Sequence, residues 1–481
     1  MTGWTVHQLL EATGGRLVGG RPEAPASGIG IDSRGLSPGE AFVAIRGSRL
    51  DGHQFIGEAV RRGASCLIVS SLPAEEMIPP TLPTILIENT TTALGALARF
   101  HRRRFPGPVI AITGSCGKTT TKELTAHLLG EAGVVLKTLG TQNNHIGVPL
   151  TLLQLAPRHQ IAVIELGSNH PGEIAYLVSL TEPDVALITN IGPVHLEFFG
   201  SLMGVLQEKL SLLHGLRPEG CAILPGDQLE ICLEASRRVP ANVRRVTFGT
   251  SDRCDVQALD IQPTTDGMLI RLRDQFSQWS IPLVGYHNVE NTLAALACAW
   301  AMGVPLSKAK ERLRSFTPVP LRSQLVRCHG LTILNDCYNA NPLAFARALE
   351  TLNALDVNRR IAIVGDMLEL GEYAPPAHQA IGRLATQLGI DAVIAVGEYA
   401  EDVALGARER RGNGVITYRT VQELLEELPG MLQEGDGLLI KGSRKLSLER
   451  VTEFLIHSAS RNVFNDMKRS QPENGVREPR A

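Results

Sequence analysis

A chain of 481 residues can form roughly two to four domains, each with its own hydrophobic core. Its 47 Lys and Arg residues nearly balance 49 Asp and Glu residues, and the formal net charge of −2 creates no overall field that attracts nucleic acid or an anionic membrane. The sequence has no apolar run of the ~18 residues that a membrane-spanning helix requires. We therefore expect a soluble, multidomain protein that acts on small molecules.

The N-terminal segment and the cysteines favour a cytoplasmic location. The segment MTGWTVHQLLEATGG places Val6, Leu9 and Leu10 at helical spacing before two glycines, and it lacks the basic and apolar regions of a signal peptide. The eight cysteines are scattered without a CxxC pair, which argues against a zinc site and a disulfide framework. This cysteine pattern is typical of a reducing compartment.

Short apolar runs alternate with helical patterns, which predicts an α/β fold with largely parallel sheets. The first domain is expected over residues 1–106, with strands at AFVAIRG, CLIVS and TILIE and a helix at TTALGALARFHRRRF before a Pro-Gly-Pro boundary. Arg102, Arg103 and Arg104 end this helix. They could form a nucleic-acid patch, but we favour a solvent-exposed cap on the helix dipole.

Two further domains and a tail are expected to follow. Residues 107–315 contain strands at VIAIT, IAVIEL and DVALITNI, then an irregular β segment and the helix NVENTLAALACAWAMG. Residues 316–458 alternate strand and helix patterns again, with strands at LTILND, RIAIVGD, DAVIAVG and DGLLIKG. The polar residues 459–481 are predicted to be disordered.

The segment VIAITGSCGKTTTKELTAHLL resembles a phosphate-binding loop between a buried strand and a helix. The general pattern GxxxxGK[ST] has a glycine where Ile112 stands, so the predicted loop is shorter or differently bent. Gly114 and Gly117 allow close backbone approach, while Lys118 can reach outer phosphates and Thr119 can ligate magnesium. The alternative is an ordinary turn, which the flanking strand and helix disfavour.

Two polar side chains follow strands of the second domain. Glu165 in VIELGSNHPGEI and His195 in TNIGPVHLEFFGS lie at carboxyl ends of strands, where open α/β sheets bind ligands. They could complete metal shells around phosphates, although a surface role is the alternative for His195. A phosphate loop alone leaves open a switch GTPase, a kinase, an ATPase motor and a ligase. The guanine-reading pattern NKxD is absent, which argues against the GTPase.

Eight motifs occur in order along the chain: TGSCGKTTTKE, NNHIGVPLTLL, VIELGSNHPGEI, HLEFFGS, YHNVENTLAAL, NDCYNANP, GDMLELG and IKGSR. Together they resemble the Mur ligases over residues 25–455, and this family's loop has the form TGxxGKT, with which Ile112 agrees. The resemblance implies three domains: an N-terminal domain for a UDP-linked substrate, a central parallel-sheet ATPase domain of the P-loop type, and a C-terminal Rossmann-like domain.

The motifs YNANP and GDMLELG favour one reaction of this family. The resemblance implies an enzyme that uses ATP and two Mg²⁺ ions to join D-alanyl-D-alanine to UDP-N-acetylmuramoyl-tripeptide through an acyl phosphate, a step of peptidoglycan synthesis. A monomer without nucleic-acid partners is expected. The alternatives are another Mur ligase, a folylpolyglutamate synthetase or, from a different class, a nucleotide-binding switch protein. Lysine and diaminopimelate both remain possible as the third peptide residue.

The resemblance also implies roles for individual residues. Lys118, His195 and Lys209 are expected to be catalytic, and the expected metal ligands are Thr119, Glu165, His195 and Lys209. Lys209 is expected to be carbamylated by CO₂, although its surroundings, EKLSL, depart from the family pattern, and a solvent-facing helix lysine is the alternative. The residues expected to bind ATP are Thr113, Gly114, Ser115, Cys116, Gly117, Lys118, Thr119, Thr120, His287, Asn288, Asn291, Arg322, Asp336 and Asn339.

A further set of residues is expected to bind the UDP-linked substrate or the acceptor dipeptide: Ser33, Arg34, Asp51, His53, Asn144, Asp366, Glu369, Lys441 and Arg444. Two segments that contain predicted site residues could instead have only a structural role. The stretch around Ser33 and Arg34 could be a solvated turn, and NDCYNANP, which contains Asp336, could be a strand-ending turn rich in Asn and Pro.

Overall fold

The computed structural model describes residues 3–47, 49–72, 78–240, 242–273, 275, 277–408 and 415–457. The chain divides into two compact units. The first contains Met1–Ile191, Leu206–Gln257 and Asn291–Arg312, and the second contains Gly192–Val205, Ala258–Glu290 and the chain from Leu313 onward. The tail predicted over residues 459–481 lies outside the described residues.

The N-terminal part of the first unit is built on a five-stranded sheet with the order β2-β7-β6-β5-β4, in which only β2 is antiparallel to its neighbour. A short antiparallel pair, β1 and β3, precedes it. The elements are β1 (Trp4–Thr5), α1 (Val6–Thr13), β2 (Arg16–Val18), β3 (Pro25–Ala26), β4 (Ile29–Gly30), β5 (Ala41–Val43), α2 (Ile56–Arg61), β6 (Cys66–Val69), β7 (Thr84–Leu86) and α3 (Thr90–Arg103). Thr5 and Gln8 form a capping box at α1, and Gly14 ends that helix in the left-handed conformation.

A parallel sheet with the order β13-β12-β11-β8-β10-β9 forms the rest of the first unit. Strand β8 lies between β10 and β11, and all three strands are fully buried, so the loops at their carboxyl ends meet at one edge. The elements are β8 (Val109–Thr113), α4 (Lys118–Leu129), β9 (Val135–Lys137), α5 (Gly147–Leu153), β10 (Ile161–Glu165), α6 (Glu173–Thr181), β11 (Val185–Ile188), β12 (Cys221–Pro225), α9 (Leu229–Arg238), β13 (Arg244–Gly249) and α11 (Leu306–Leu313).

The second unit contains a mixed sheet with the order β17-β18-β22-β19-β20-β21 and the antiparallel strands β14, β15 and β16. The first two residues of β14, Val256 and Gln257, belong to the first unit and pair in parallel with β13. In the mixed sheet only β17 is antiparallel to its neighbour. The strands are β14 (Val256–Thr264), β15 (Gly267–Leu272), β16 (Trp279–Ile281), β17 (Gln324–Cys328), β18 (Leu331–Asn335), β19 (Arg359–Gly365), β20 (Ala392–Val396), β21 (Val415–Tyr418) and β22 (Asp436–Lys441).

Helices cover both faces of the mixed sheet. Along β19, Ala362 and Val364 belong to one hydrophobic core, while Ile361 and Ile363 belong to the other, as the two-residue period of a strand requires. The helices of this unit are α7 (Leu196–Phe199), α12 (Pro342–Asn353), α13 (Ala374–Gln387), α14 (Ala400–Arg408), α15 (Val421–Glu427) and α16 (Glu449–His457). Three described helices contain residues of both units: α8 (Leu202–Leu210), α10 (Tyr286–Ala301) and α11, whose last residue, Leu313, belongs to the second unit.

The predicted fold class is confirmed: the chain is α/β with mainly parallel sheets, and each strand pattern named above forms a strand. The irregular β segment of the second domain is the antiparallel sheet of β14, β15 and β16. None of the helices described here combines the length and apolar composition needed to cross a membrane.

The arginines that end α3 differ from the expectation. The Arg102 side chain is completely buried, and its guanidinium donates to the Asp184 carboxylate at 3.0 Å and to the main-chain oxygens of Thr181 and Glu182 at 2.7 and 2.9 Å. The prediction of a solvent-exposed cap is therefore wrong for Arg102. Tertiary packing explains the difference, because the C-terminal end of α3 lies against the connection between α6 and β11.

Replacing Arg102 by alanine should lower the free energy of unfolding by about 3 kcal/mol, because a buried cation and its hydrogen bonds are lost while its partners stay desolvated. Arg103→Ala is the matched control. Its side chain is 55% exposed where it pairs with Glu182, so its loss should cost at most ~1 kcal/mol. Urea denaturation of the three proteins measures the difference, and equal costs for the two variants would contradict the structural role of Arg102.

Candidate functional site

The loop between β8 and α4 depends on its two glycines. Gly114 has φ 148° and Gly117 has φ 78°, values that residues with a Cβ rarely adopt. A Cβ at Gly114 would lie 2.0 Å from the Thr189 hydroxyl oxygen, and a Cβ at Gly117 would lie 2.0 Å from the side-chain oxygen of Asn291. Both positions therefore require glycine for conformational and steric reasons. The predicted strand, loop and helix are all present.

Asn190, which follows β11, holds the loop in shape. The main-chain N–H groups of Ser115 and Cys116 donate to the main-chain and side-chain oxygens of Asn190, each at 2.9 Å. The Asn190 amide in turn donates to the main-chain oxygen of Cys116 at 3.2 Å. Asn190 was not predicted from the sequence, in which the only signal for this residue is its position just after a buried strand.

The start of α4 concentrates positive potential. The helix begins after Gly117, which provides no side-chain cap for the first-turn N–H groups. The Lys118 ammonium lies over the loop and donates to the main-chain oxygens of Gly114 and Ser115 at 2.8 and 3.3 Å. Thr119 and Thr120 are buried in the first turn. Helix dipole, N–H groups and ammonium together suit the binding of a phosphate.

Glu165, the last residue of β10, lies next to this loop. Its carboxylate is 1% exposed, and one oxygen accepts hydrogen bonds from the Thr119 hydroxyl at 3.2 Å and the Asn143 amide at 2.8 Å. The other oxygen accepts no hydrogen bond in the described structure, although the Lys122 ammonium lies 3.8 Å from it. A buried carboxylate oxygen beside a threonine hydroxyl suits a hard divalent cation.

No group of three His, Cys, Asp or Glu side chains comes together as a metal site within the part of the chain that the structure describes. Mg²⁺ keeps several waters and binds phosphate oxygens alongside one or two carboxylates. Thr119 and Glu165 thus fit Mg²⁺ at a phosphate, and they do not fit a cation that needs a complete cage of protein ligands.

Lys122 is a second residue that the sequence analysis missed. This lysine of α4 is fully buried, and its ammonium donates to the main-chain oxygens of Thr138 and Gly140 at 2.8 and 2.7 Å. The main-chain N–H of Glu165 donates to the Thr138 hydroxyl at 2.9 Å. Lys122 therefore supports the segment that follows β9 and the end of β10. A signal existed, since Lys122 lies one helical turn after Lys118.

Lys209 is not a solvent-facing helix lysine. Its side chain is 1% exposed, and its ammonium donates to the hydroxyl and main-chain oxygens of Ser168 at 2.7 and 3.4 Å. Burial, followed by the charge of Lys118, lowers the pKa of Lys209 to about 7. The preceding Glu208 accepts hydrogen bonds from the N–H groups of Gly172 and Ile174, both at 2.7 Å. Both residues of α8 therefore hold the loop between β10 and α6.

The residues predicted on α10 divide between the two units. Asn291 belongs to the first unit, is buried, and accepts a hydrogen bond from the Thr121 hydroxyl at 3.3 Å. In the second unit, the Asn288 amide donates to the main-chain oxygen of Val284 at 2.8 Å, and His287 Nε2 lies 2.9 Å from the Ser323 hydroxyl. Burial lowers the pKa of His287 to about 4, so its imidazole is neutral at physiological pH.

A polar cluster surrounds Asp336 at the end of β18. The main-chain N–H of Ser323 donates to one carboxylate oxygen at 2.9 Å, and the Lys441 ammonium lies 2.6 Å from the other. Lys441 also donates to the main-chain oxygen of Asn339 at 3.0 Å and is 2% exposed. Because its ammonium is already surrounded by hydrogen-bond acceptors of the protein, we assign Lys441 to the positioning of Asp336. The expected contact of Lys441 with the acceptor dipeptide stays a prediction.

His195 and Glu369 contact each other within the second unit. His195 precedes α7 with φ 50°, Glu369 has φ 62°, and the Nδ1 atom of the histidine meets the carboxylate. Left-handed conformations of residues other than glycine are uncommon and often occur at functional sites. The pairing of these two residues, predicted separately, was not visible in the sequence because 174 positions separate them.

Three other predicted residues of the second unit make local contacts. The Arg322 guanidinium lies 4.1 Å from the centre of the Tyr338 ring, a cation–π contact. The Asp366 carboxylate accepts hydrogen bonds from two main-chain N–H groups just before α14, each at 3.0 Å. Arg444 pairs with Glu449 at 2.9 Å. Arg322 and Arg444 are partly exposed, whereas Asp366 stabilises the loop between β20 and α14.

Asp51 and His53 form a hydrogen-bonded chain with Ser70. His53 Nδ1 lies 2.6 Å from the Asp51 carboxylate, and His53 Nε2 accepts the main-chain N–H of Ser70 at 3.0 Å. The acceptor role of Nε2 makes Nδ1 the protonated nitrogen of a neutral ring. Hydrogen bonds from His53, with the main-chain N–H as the largest cause, lower the pKa of Asp51 to about 2.

The remaining predicted substrate residues lie on loops of the first unit. The Ser33 hydroxyl donates to the Glu58 carboxylate at 2.6 Å. Arg34 is 81% exposed and pairs with Asp32 at 2.8 Å, which agrees with a solvated turn. The Asn144 side-chain oxygen accepts two main-chain N–H groups at the start of α5, at 3.1 and 2.9 Å.

Comparison with known proteins accounts for this arrangement. Residues 25–102 match the family model described as the Mur ligase family catalytic domain, residues 112–299 the Mur ligase middle domain, and residues 321–444 the Mur ligase glutamate ligase domain. A relative from Escherichia coli strain K12, named UDP-N-acetylmuramoyl-tripeptide--D-alanyl-D-alanine ligase, is 36% identical over 94% of this chain and 98% of its own. The chain belongs to the Mur ligase family.

Solved structures resemble this Mur ligase over nearly its whole length. A crystal structure of MurF from Acinetobacter baumannii has a TM-score of 0.86 and 32% identity, covering 94% of this chain and 99% of that one. MurF from Thermotoga maritima in complex with ADP has a TM-score of 0.81 and 28% identity, covering 90% and 98%. The three-domain α/β architecture expected from the motifs is thereby confirmed.

Brief alkylation of this Mur ligase should modify Cys116 before the other cysteines. Cys116 is half-buried in the loop, beside Lys118 and the N-terminus of α4, where positive potential favours the thiolate. Burial raises the pKa of the seven other thiols: Cys66, Cys221, Cys232, Cys254, Cys298, Cys328 and Cys337. Peptide mass spectrometry measures the order of labelling.

Cys232 and Cys328 are the internal controls, since they are also half-buried. Equal labelling rates at these two positions and at Cys116 would contradict the electrostatic effect. The Cys116→Ser variant should lose the fast phase of labelling and keep the slow one.

Proposed function

We propose that this Mur ligase uses ATP to join D-alanyl-D-alanine to UDP-N-acetylmuramoyl-tripeptide, with release of ADP and phosphate. The observation that carries the proposal is a phosphate loop flanked by the buried Glu165, in a chain whose full-length relatives have that activity in their name. We assign residues 1–106 to the UDP-linked substrate, 107–315 to ATP and 316–458 to ligation. We place the enzyme in the cytoplasm as a monomer.

The first chemical step is phosphoryl transfer to the terminal carboxylate of the tripeptide. A carboxylate oxygen attacks the terminal phosphorus of ATP, the bond from that phosphorus to the bridging oxygen breaks, and ADP leaves. The attacking group and the phosphate are both negative, so their approach requires positive charge between them. The Lys118 ammonium and the first-turn N–H groups of α4 supply it at the loop.

The second step is amide formation. The amine of D-alanyl-D-alanine attacks the acyl carbon, a tetrahedral intermediate forms, and phosphate leaves as the nitrogen loses a proton. An acyl phosphate is readily hydrolysed, so water must be excluded while it exists. Gly114 and Gly117 allow the loop to pack directly against Thr189 and Asn291.

Thr119 and Glu165 would hold Mg²⁺ at this site through the hydroxyl and the carboxylate oxygen that accepts no hydrogen bond. When bound, the cation neutralises phosphate oxygens as charge develops during transfer. The family resemblance adds a second ion and His195 as a ligand, and both assignments stay predictions.

Lys209 is the residue we assign to carbamylation. Its ammonium would first lose a proton, and the neutral nitrogen would then attack the carbon of CO₂ and lose a second proton. The product would be a carbamate, an anionic oxygen ligand. The geometry supports this role, since Lys209 is buried at the loop after β10 and its nearest partner, the Ser168 hydroxyl, can donate to a carbamate as readily as it accepts from an ammonium.

Residues of the second unit are proposed to hold the rest of the nucleotide. Asp336, fixed by Ser323 and Lys441, presents a carboxylate suited to ribose hydroxyls. The other proposed ATP contacts of this unit are His287, Asn288, Arg322 and Asn339. The loops with Ser33, Arg34, Asp51 and His53 are proposed for the UDP group, and Asp366, Glu369 and Arg444 for the acceptor side.

Release of ADP by the purified enzyme should require both UDP-N-acetylmuramoyl-tripeptide and D-alanyl-D-alanine. Replacing D-alanyl-D-alanine by glutamate tests the alternatives of a folylpolyglutamate synthetase and of another Mur ligase. Release of ADP without either substrate would indicate a nucleotide-binding switch protein. Lys118→Ala is the inactive control, expected to lower turnover at least ~10³-fold because it removes charge stabilisation in phosphoryl transfer. Near-normal turnover of Lys118→Ala would contradict the loop assignment.

The Lys209→Ala variant should be inactive, because an anionic ligand is lost. Bicarbonate with a short carboxylic acid should restore part of the activity by occupying the vacated space, whereas a short amine should not. The matched control is Lys137→Ala, whose lysine is half exposed where it contacts Glu123, and it should keep full turnover. Full activity of Lys209→Ala, or rescue by the amine, would refute the carbamate.

A further inference from the structure

A cavity of about 340 Å³ opens in the first unit between the start of α5 and the start of α6. Its lining includes Asn144, His145, Gly167, Glu173, Tyr176 and Leu177. Small-molecule sites measure roughly 300–1,000 Å³, so this one holds a single amino-acid residue more readily than a nucleotide.

The wall of the cavity is connected to the phosphoryl-transfer site by two hydrogen bonds. The N–H of Gly167, in the lining, donates to the main-chain oxygen of Asn143 at 2.9 Å. The amide of the same asparagine donates to Glu165 at 2.8 Å, and Glu165 accepts the Thr119 hydroxyl. A carboxylate that is phosphorylated beside Thr119 and Glu165 therefore has this cavity next to it.

The cavity combines an apolar surface with a polar rim. Tyr176 and Leu177 of α6 provide ring and aliphatic carbon atoms, and Asn144, His145 and Glu173 provide polar groups. One Glu173 oxygen accepts the N–H groups of Asn169 and His170 at 2.8 and 3.0 Å, and neither of these hydrogen bonds uses the second oxygen. Neither lysine nor arginine occurs in this lining. Such a site favours an aliphatic chain with a positive tip over one with a negative tip.

We propose that this cavity receives the side chain of the third residue of the tripeptide and that Glu173 recognises its terminal ammonium. The inference rests on the proposed function, in which the third residue carries the reacting carboxylate. Lysine and diaminopimelate share the aliphatic stem and the ammonium. Diaminopimelate adds a distal carboxylate, for which the rim offers the imidazole of His145 and the amide of Asn144.

The test compares three UDP-linked tripeptides that end in lysine, diaminopimelate or norleucine, the last having a similar stem without the ammonium. In the Glu173→Gln variant, KM should rise at least about tenfold for the lysine and diaminopimelate substrates, the effect of losing a hydrogen bond to a charged group. KM for norleucine and kcat for all three should stay unchanged. Glutamine can still accept the two main-chain N–H groups, which preserves the loop.

Glu230→Gln is the matched control. Glu230 is an exposed acidic residue in the first turn of α9, and its neutralisation should leave KM and kcat unchanged for all three substrates. His145→Ala distinguishes the two natural side chains, since it should raise KM for diaminopimelate alone. Equal changes in KM for all three substrates, or no change in Glu173→Gln, would overturn the inference. Failure of the proposed function is separate, because the parent enzyme would then release no ADP with any tripeptide.

Discussion

The first unit depends on a buried negative charge at the carboxyl end of β10. An ionised carboxylate with almost no solvent contact is costly unless hydrogen bonds and nearby cations compensate for its lost hydration. Glu165 receives that compensation from Thr119 and Lys122 of α4 and from Asn143 in the segment after β9. The carboxylate therefore determines where the phosphate loop, the segment after β9 and the first turns of α4 lie relative to one another.

The second unit uses the same principle with the charges exchanged. There the buried cation is Lys441, and Asp336 and Asn339 surround it. Ser323 reaches the Asp336 carboxylate from a left-handed backbone conformation with φ 47°, which is unfavourable for a residue with a Cβ and persists only when neighbouring contacts enforce it. His287 lies beside Ser323, and burial lowers the pKa of its imidazole to about 4.

Most of the fold could be predicted from the sequence, because its signals are local. Apolar runs of strand length, the capping residues of α1 and the glycines of the phosphate loop each act over a few positions. The interactions that could not be predicted join distant positions. Arg102 lies 82 residues from Asp184, and Lys441 lies 105 residues from Asp336, so no periodicity distinguishes them from surface lysines and arginines.

The residues of the candidate site likewise divide into those that the sequence predicts and those that it does not. Lys118, Thr119 and Glu165 could be found because their residue types and spacing suit phosphate chemistry. Asn143, Asn190 and Lys122 instead act through contacts with distant segments that only the folded chain reveals.

The burial of Arg102 has a consequence for how the chain can be divided. Its acceptors on Thr181, Glu182 and Asp184 lie beyond the Pro-Gly-Pro boundary, so a fragment that ended at this boundary would lose the main partners of a buried cation. The boundary visible in the sequence is consequently a poor place to truncate the chain for expression, and the N-terminal sheet and the parallel sheet should melt in a single cooperative transition.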